Sequence, residues 1–203
     1  MNAVVEGFRR VGDFQGRTPQ RRFWPYVVTI VLVHVVLGTI GSFGAMAPAM
    51  SRLFNSVAAA ARAAKPDGSA AYNPAAEAAF TRDFLGSVMG PVLWVGVMLS
   101  IVSMLLLLAI TVRRLHDSGK TGWWSLLPIP GTLASYGVTM AMMSRMDELL
   151  TPTGMTPAFQ LYNALLSAIY WGGILGLLFL VTRSSTPGDN RFGPASGRGR
   201  DFD

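Results

Sequence analysis

The sequence predicts an all-α integral membrane protein with four transmembrane helices, formed by a single membrane domain over residues 1–203. Of these residues, 51% are hydrophobic and only 14% are charged. Soluble chains carry roughly 25% charged residues, so this chain has too few charges to cover a surface that faces only water. Four apolar runs have the length of about 20 residues that crosses the hydrocarbon of a bilayer.

The four spans are predicted at residues 25–47, 88–111, 123–143 and 159–182. The first run is longer than the apolar part of a signal peptide, usually about 7–15 residues. We therefore expect an uncleaved helix, although Ala45-Met46-Ala47 resembles a cleavage site. In the third run, Pro128, Pro130 and Gly131 are expected to kink or break the helix.

The distribution of cations predicts the orientation of the helices. Of the 17 Lys and Arg residues, twelve fall on one side of the four-span arrangement and five on the other. Such an excess is typical of cytoplasmic loops, so both termini are predicted to be cytoplasmic, with a tail over 183–203. The net charge of +6 is explained by this topology, and no nucleic-acid partner is expected.

The segment 48–83, between the first two spans, is predicted to be a long external, alanine-rich helical loop. Ser51–Lys65 places Leu53, Phe54 and Val57 on one face, which suits a helix lying in the membrane interface. Asn73-Pro74 is expected to begin a second helix that leads into the next span. A spacer on the membrane surface is the favoured interpretation, and an external binding element is the alternative.

Arg113–Trp124, with the sequence RRLHDSGKTGWW, allows three interpretations. A phosphate-binding loop is rejected, because its first glycine would have to stand at Arg114. A catalytic pair of His116 and Asp117 is disfavoured, because adjacent side chains on a helix diverge. The spacing of four residues instead predicts an ion pair between Arg113 and Asp117 at the end of a helix.

The third interpretation is a tight turn at the membrane edge. Arg113 and Arg114 would end the second span, and Gly119 can adopt the left-handed conformation that terminates a helix. Lys120 would lie at the level of the lipid headgroups, and Trp123, with its neighbour, in the aromatic belt of the interface. Cations in this position can hold an anionic headgroup.

This block and two others resemble a known family. In chain order, FQGRTPQRRFWPY (Phe14–Tyr26), RRLHDSGKTGWW and STPGDNRFGP (Ser185–Pro194) resemble the domain of unknown function 805 family of small bacterial inner-membrane proteins. The resemblance implies a multi-pass protein of the bacterial inner (plasma) membrane with no established biochemical function and no agreed catalytic residues. The chain departs from the family pattern in its long external loop and in the two apolar segments between the last two blocks.

Because all three blocks fall on the predicted cytoplasmic face, we expect them to fold together into a basic cytoplasmic cap. Arg17 and Arg191 would be its basic partners, Asp117 and Asp189 its acidic partners, and Asn190 a hydrogen-bonding bridge. Pro187-Gly188 is expected to form a type II turn. The candidate cap and headgroup-binding residues are Gly16, Arg17, Arg21, Trp24, Arg113, Arg114, His116, Asp117, Gly119, Lys120, Trp123, Asn190 and Arg191.

The spans contain few polar groups that could act within the membrane. No Asp, Glu, Lys or Arg lies in a span core, and His34 is expected near the midplane. A neutral His34 hydrogen-bonded to a neighbouring helix is favoured over a proton relay. Gly172 and Gly176 have the spacing of a close helix-packing face, within one chain rather than between copies. The chain has no cysteine, and no metal, cofactor or catalytic residue is predicted.

Three functions follow as hypotheses. The favoured one is a non-enzymatic membrane component whose basic cap binds anionic phospholipid or a partner membrane protein, with a homo-oligomer as a further possibility. The alternative is a small channel or transporter with His34 as its intramembrane polar group. The least favoured is a lipid-modifying enzyme that uses His116 and Asp117.

Overall fold

The computed structural model describes residues 2–63, 74–145 and 156–195, and within them the chain forms helices and connecting segments without a strand. The helices are α1 (Ala3–Arg9), α2 (Gln20–Ala63), α3 (Pro74–Asp117), a 3₁₀ helix (Gly122–Leu126), α4 (Ile129–Ser144) and α5 (Pro157–Thr182). The middle of the predicted loop, 64–73, and the end of the predicted tail, 196–203, lie outside the described residues.

The four predicted spans are confirmed as helices that are long and apolar enough to cross a membrane. They are Gln20–Ala59, Phe80–Asp117, Gly122–Ser144 and Pro157–Thr182. Between 6% and 17% of the most apolar window of each helix is buried inside the protein. The apolar side chains therefore face outwards, where only lipid can shield them from water, and the fold is that of a multi-pass membrane protein.

Helices α2 and α3 form a long antiparallel hairpin. A side chain at Gly41 would contact Val95, one at Gly38 would contact Leu99, and His34 bonds to Ser103. Each step along α2 is matched by an equal step back along α3, so this register brings Ala63 opposite Pro74. The small residues Gly38 and Gly41 allow the close approach of the two helices.

The hairpin extends well beyond the other two spanning helices. Helices α2 and α3 have 44 residues each, or about 66 Å at 1.5 Å per residue, whereas the hydrocarbon of a bilayer is about 30 Å thick. A Cβ built on Gly90 of α3 lies 3.9 Å from Met143, near the end of α4. We call the outer part of this pair the projecting hairpin. It consists of α2 after about residue 47 and of α3 before Gly90, and it is about 24 Å long.

The interfacial helix predicted within 48–83 is therefore not formed in the described part of that segment. Residues up to Ala63 continue α2 directly, through Pro48. Residues from Pro74 continue into α3, so the predicted helix leading into the second span is present, whereas Asn73 lies outside the described residues. The physical reason is that this alanine-rich sequence has a high helix propensity. The hairpin register also places Ala49 opposite Val88, and both are buried, so the two extensions pack on each other here.

The third span is broken, and α4 packs closely on α5. The 3₁₀ helix ends at Leu126 and α4 begins at Ile129, so the interruption lies at Leu127 and Pro128. A Cβ at Gly173 would lie 2.7 Å from the carbonyl oxygen of Leu127, and one at Gly176 would lie 2.8 Å from its Cδ2. The predicted packing face is therefore correct for Gly176 and wrong for Gly172, because a Cβ built on Gly172 would meet no atom within 4 Å.

The buried core lies at one end of the bundle, where α1, α2, α3 and α5 meet. It comprises Phe23, Tyr26, Ile30, Ile110, Leu115 and Val181. Helix α1 covers this end, because Gly7 leaves room for the ring of Tyr26 and Phe8 packs edge-on against the same ring at 5.3 Å. The Tyr26 hydroxyl donates to the carbonyl of Leu106 at 3.2 Å. This packed end supports the polar groups described next.

Candidate functional site: a polar cap at the ends of the helices

Three polar segments meet above the buried core, and we call them together the polar cap: residues 10–19, 113–120 and 183–195. The backbone N–H of Thr18 donates to the carbonyl of Arg113 at 3.1 Å. The N–H of Thr186 donates to the carbonyl of Asp117 at 2.9 Å. The structure thus brings the three sequence blocks together at the C-terminal end of α3.

Asp117 lies at the centre of the polar cap and is fully buried. Its Oδ1 accepts a hydrogen bond from Arg17 Nε at 3.0 Å. Its Oδ2 accepts hydrogen bonds from Arg114 Nη1 and from the hydroxyl of Ser185. One carboxylate therefore connects all three segments and fixes their relative positions.

Arg17 uses the whole guanidinium fork to hold the tail. Besides its bond to Asp117, Nη1 donates to the carbonyl of Gly188 at 2.8 Å. Nη2 donates to the carbonyl of Thr186 at 2.8 Å and to that of Asp117 at 3.3 Å. A planar fork with five donors can satisfy acceptors in several directions at once, which a lysine cannot.

Arg113 and Arg114 point in different directions from the last turn of α3. Arg113 donates to Thr18 Oγ1 at 3.2 Å, to the carbonyl of Arg10 at 2.8 Å and to that of Asp13. The predicted ion pair of Arg113 with Asp117 is thus wrong, and Arg114 takes its place. The side chain of Arg113 lies on the other side of α3 and contacts the N-terminal loop.

Arg114 closes the end of α5. Its Nε donates to the carbonyl of Val181 at 2.9 Å, and its Nη2 donates to the carbonyl of Arg183. The last carbonyls of a helix have no partner within the helix. A guanidinium from α3 therefore serves as the C-terminal cap of a different helix.

The buried charges are balanced partly by the backbone. Arg17, Arg113 and Arg114 have buried side chains, and Asp117 is the buried carboxylate among them. The C-terminal end of a helix carries about half a negative charge, and the ends of α3 and α5 both lie here. Asp13, in the loop beside Arg113, has a pKa below its usual value, mainly because the Arg10 side chain donates hydrogen bonds to it and also because the Gln15 N–H does.

Gly119 ends α3 as predicted. Its φ of 75° is in the left-handed region, which glycine adopts without strain. The N–H of Lys120 donates to the carbonyl of Leu115 at 2.8 Å, and that of Gly119 to the carbonyl of His116 at 3.0 Å. These two bonds define a Schellman motif, which turns the chain out of the helix and leaves Lys120 exposed.

The tail is fixed to α3 by Asn190 and by ring stacking. Asn190 Nδ2 donates to the carbonyl of His116 at 3.0 Å, and the rings of His116 and Phe192 stack 3.8 Å apart. Gly188 has a φ of 75°, as the predicted turn requires. Among the described residues, the Nδ1 of His116 is buried without a hydrogen-bond partner.

The family model described as Protein of unknown function (DUF805) matches residues 11–194, which include the polar cap except for its end residues Arg10 and Ala195. The chain belongs to the DUF805 family. No curated protein and no solved structure matches it. The resemblance of the three sequence blocks to this family is therefore confirmed over nearly the whole chain.

The remaining predicted cap residues of this DUF805 protein lie around the buried network. Arg21 is exposed at the start of α2, and Trp24 packs edge-on against Phe23 at 5.2 Å. Trp123 is 79% exposed. The guanidinium of Arg191 lies over the ring of Phe192, 4.7 Å from its centre. The carboxylate of Asp189 accepts a hydrogen bond from the N–H of Ala195. Within the described residues, neither side chain forms an ion pair in the polar cap. Gly16, with a φ of 83°, shapes the loop before Arg17.

Three hydroxyl groups of the polar cap were not predicted from the sequence. Thr18, Ser185 and Thr186 all bond to its charged residues or to the end of α3. Each lies inside one of the three sequence blocks, but a hydroxyl in a loop has no spacing signal of its own. Arg17 was predicted as one of two basic partners and Asp117 as one of two acidic partners, and these two residues form an ion pair.

Polar groups within the spans of the DUF805 protein serve as links between helices. His34 Nδ1 and Ser103 Oγ lie 2.8 Å apart, and the hydroxyls of Ser100 and Tyr136 also lie 2.8 Å apart. The hydrogen bond predicted between His34 and a neighbouring helix is therefore present. Within the described ranges, no cluster of His, Asp or Glu has the arrangement of a metal site.

Proposed function

We propose that this DUF805 protein is a non-enzymatic component of the bacterial inner membrane whose polar cap lies on the cytoplasmic side and binds anionic phospholipid headgroups. The observation that carries the proposal is the turn after α3, in which exposed Lys120 is followed by Trp123, exposed over 79% of its surface. A cation beside exposed tryptophans is typical of the headgroup level of a membrane.

The polar cap divides its cations between two roles. Arg17, Arg113 and Arg114 are buried, and their donors go to protein oxygens. Their predicted role in headgroup binding is therefore replaced by a structural one. Lys120, Arg183 and Arg191 are exposed, and we call these three residues the basic rim. The basic rim is available to phosphate groups, and the buried network holds it in position.

The orientation of the protein supports the same proposal. Cations are concentrated in the segments that form the polar cap, and such segments remain on the cytoplasmic side during insertion. The cytoplasmic leaflet of a bacterial membrane carries anionic lipids, and a basic residue near such a surface contributes about 1 kcal/mol of attraction.

The test is retention of phosphatidylglycerol by the purified protein. The protein is reconstituted with equal amounts of phosphatidylglycerol and phosphatidylcholine, extracted in mild detergent, and measured by native mass spectrometry. We expect wild type to retain phosphatidylglycerol preferentially. Lys120→Gln/Arg183→Gln/Arg191→Gln should lose most of that preference, because the three charges of the basic rim are gone.

The matched control keeps the charges: Lys120→Arg/Arg183→Lys/Arg191→Lys should retain phosphatidylglycerol as wild type does. Neither triple variant should change the melting temperature strongly, because the buried network is intact in both. Equal retention of the two lipids by wild type would overturn the proposal. A partner protein that co-purifies with wild type and not with the Gln variant would instead favour the alternative in which the cap binds a protein.

The alternative of a small channel or transporter gains no specific observation. It relied on His34 as a polar group within the membrane, and His34 is hydrogen-bonded to Ser103 on the neighbouring helix. A hydrogen-bonded imidazole between two packed helices serves as a link between these helices.

A further inference from the structure

Helix α2 carries two apolar stripes on nearly opposite sides. The first faces α3 and includes His34, Gly38, Gly41 and buried Ala49. The second, which we call the outer stripe, consists of Val36, Ile40, Phe43, Ala47, Met50, Phe54 and Val57. Its positions follow one another at alternating steps of four and three residues. Val36, Ile40 and Phe43 each lie two positions after a residue that faces α3, or about 200° around the helix.

Apart from half-buried Met50, the described part of the chain leaves the outer stripe exposed. Ile40 is 63% exposed, Phe43 69%, Phe54 67% and Val57 58%. Within the membrane, such exposure is ordinary, because lipid covers it. The stripe continues without interruption, however, into the projecting hairpin.

Lipid cannot cover the far end of the outer stripe. The end of α4 is level with about residue 47 of α2, so Val57 lies about 15 Å further out. Arg52 lines a groove between α2 and α3 together with Arg82 and Asp83, and charged side chains at this level mark the limit of the hydrocarbon. Phe54 and Val57 follow Arg52 and would be exposed to water in a single copy.

We propose that the outer stripe is the interface between two copies of this chain, which pair through α2 as a parallel, left-handed coiled coil that begins in the membrane and continues through the projecting hairpin. A repeat of 3.5 residues is the period of a helix packed along another helix. Lipid contact imposes no such period. A second copy inserts with the same orientation, so it presents the same stripe at the same depth, both in lipid and in water.

The residues around the outer stripe fit such a partner. Gly44 and Ser51 stand beside it and are small, and a Cβ on Gly44 would meet nothing within 4 Å, so two helices can approach closely. Arg52 lies on the side of α2 that faces α3, away from the stripe, so no cation of one copy opposes the same cation of the other. Covering the five largest side chains would bury on the order of 1,000 Å² in the dimer, which reaches the lower limit for specific interfaces.

Disulfide cross-linking tests the interface directly, because the chain contains no cysteine. Val57→Cys places a thiol on the outer stripe, and the matched control Asn55→Cys places one at nearly the same height on another face of α2. Both variants are reconstituted as full-length protein in phosphatidylglycerol and phosphatidylethanolamine vesicles and oxidised. Val57→Cys should give at least about ten times more covalent dimer than Asn55→Cys, because a disulfide needs Cα atoms within about 7 Å.

A second measurement does not depend on a disulfide. Native mass spectrometry should detect dimers of wild type and of Asn55→Glu, and monomers of Phe54→Glu/Val57→Glu with unchanged helix content by circular dichroism. Monomeric wild type would overturn the proposal. So would a dimer that survives Phe54→Glu/Val57→Glu, or equal cross-linking of the two cysteine variants, since each of these results would move the contact away from the outer stripe. None of these results depends on lipid binding by the polar cap.

Discussion

Arg17 and Asp117, one hundred residues apart in the sequence, form an ion pair in which Arg17 Nε donates to Asp117 Oδ1 at 3.0 Å. Both side chains are buried. Asp117 also accepts from Arg114 and Ser185, so the N-terminal loop, α3 and the tail all depend on one carboxylate. Burying charges in this way is favourable only when they are paired and hydrogen-bonded together. The polar cap should therefore be sensitive to the loss of any one partner.

Asp117→Asn should destabilise the polar cap strongly. The substitution keeps the shape of the side chain but removes the negative charge between the guanidiniums of Arg17 and Arg114. Removing one partner of a buried ion pair costs about 3–5 kcal/mol. We expect a lower melting temperature in detergent and faster cleavage by trypsin after Arg183 and Arg191, which are held in the tail.

The matched control for Asp117→Asn is Asp189→Asn. Asp189 is exposed in the same tail and accepts a hydrogen bond from the N–H of Ala195. Its loss should change the free energy of unfolding by about 1 kcal/mol or less. Similar melting temperatures for Asp117→Asn and wild type would contradict the central role of Asp117.

Arg17→Lys should also destabilise the protein, although it keeps the positive charge. Arg17 donates to Asp117 Oδ1 and to the carbonyls of Thr186 and Gly188, and these acceptors lie in different directions. A lysine can reach only part of this set, and each buried acceptor left without a donor costs about 1–3 kcal/mol. Chemical or thermal unfolding in detergent measures the loss.

Arg191→Lys serves as the control for Arg17→Lys and should change stability little, because Arg191 is exposed. The same geometry predicts that exchanging the charges, in Arg17→Asp/Asp117→Arg, does not restore stability. A carboxylate at position 17 would face the carbonyl oxygens of Thr186 and Gly188, which repel it. Full recovery in the exchanged variant would show that charge alone, without the fork geometry, holds the polar cap.

The sequence allowed the convergence of the three blocks to be predicted, but not its details. The cation excess and the block positions led to a common face. The charges gave Arg17 and Arg191 as basic partners and Asp117 and Asp189 as acidic partners, but they did not select the pair of Arg17 with Asp117. The choice between Arg113 and Arg114 could not be made in this way. Spacings of three and four residues both allow contact on a helix, and the decision depends on which neighbouring helix ends beside each side chain.

The length of α2 was underestimated for a related reason. Apolar content predicts where a helix can lie in lipid, but it does not indicate where a helix ends in water. The alanine-rich extensions continue as helices because each covers the other, as at Ala49 and Val88. Such mutual cover is a tertiary effect and is not visible in the periodicity of one segment.

Gly173→Ala should loosen the packing of α4 on α5. The new Cβ would lie 2.7 Å from the Leu127 carbonyl oxygen and 3.1 Å from Pro128 Cα. Both are backbone atoms, so the helices would have to move apart, at a cost of about 1–3 kcal/mol. Gly172→Ala is the adjacent control and should cause no loss, because its Cβ meets nothing within 4 Å. Equal melting temperatures of the two variants would contradict the close contact at Gly173.

His34 and Ser103 should act as a structural link between α2 and α3 rather than as part of a proton path. His34→Ala and Ser103→Ala each remove one side of the same hydrogen bond. Their effects on the free energy of unfolding should therefore not add, with a coupling near the 0.6 kcal/mol average for such bonds in membranes. Liposomes containing wild type or His34→Ala should show the same proton permeability in a pH-sensitive dye assay. Proton flux that is present with wild type and lost with His34→Ala would contradict this role, because a link between helices has no reason to conduct protons.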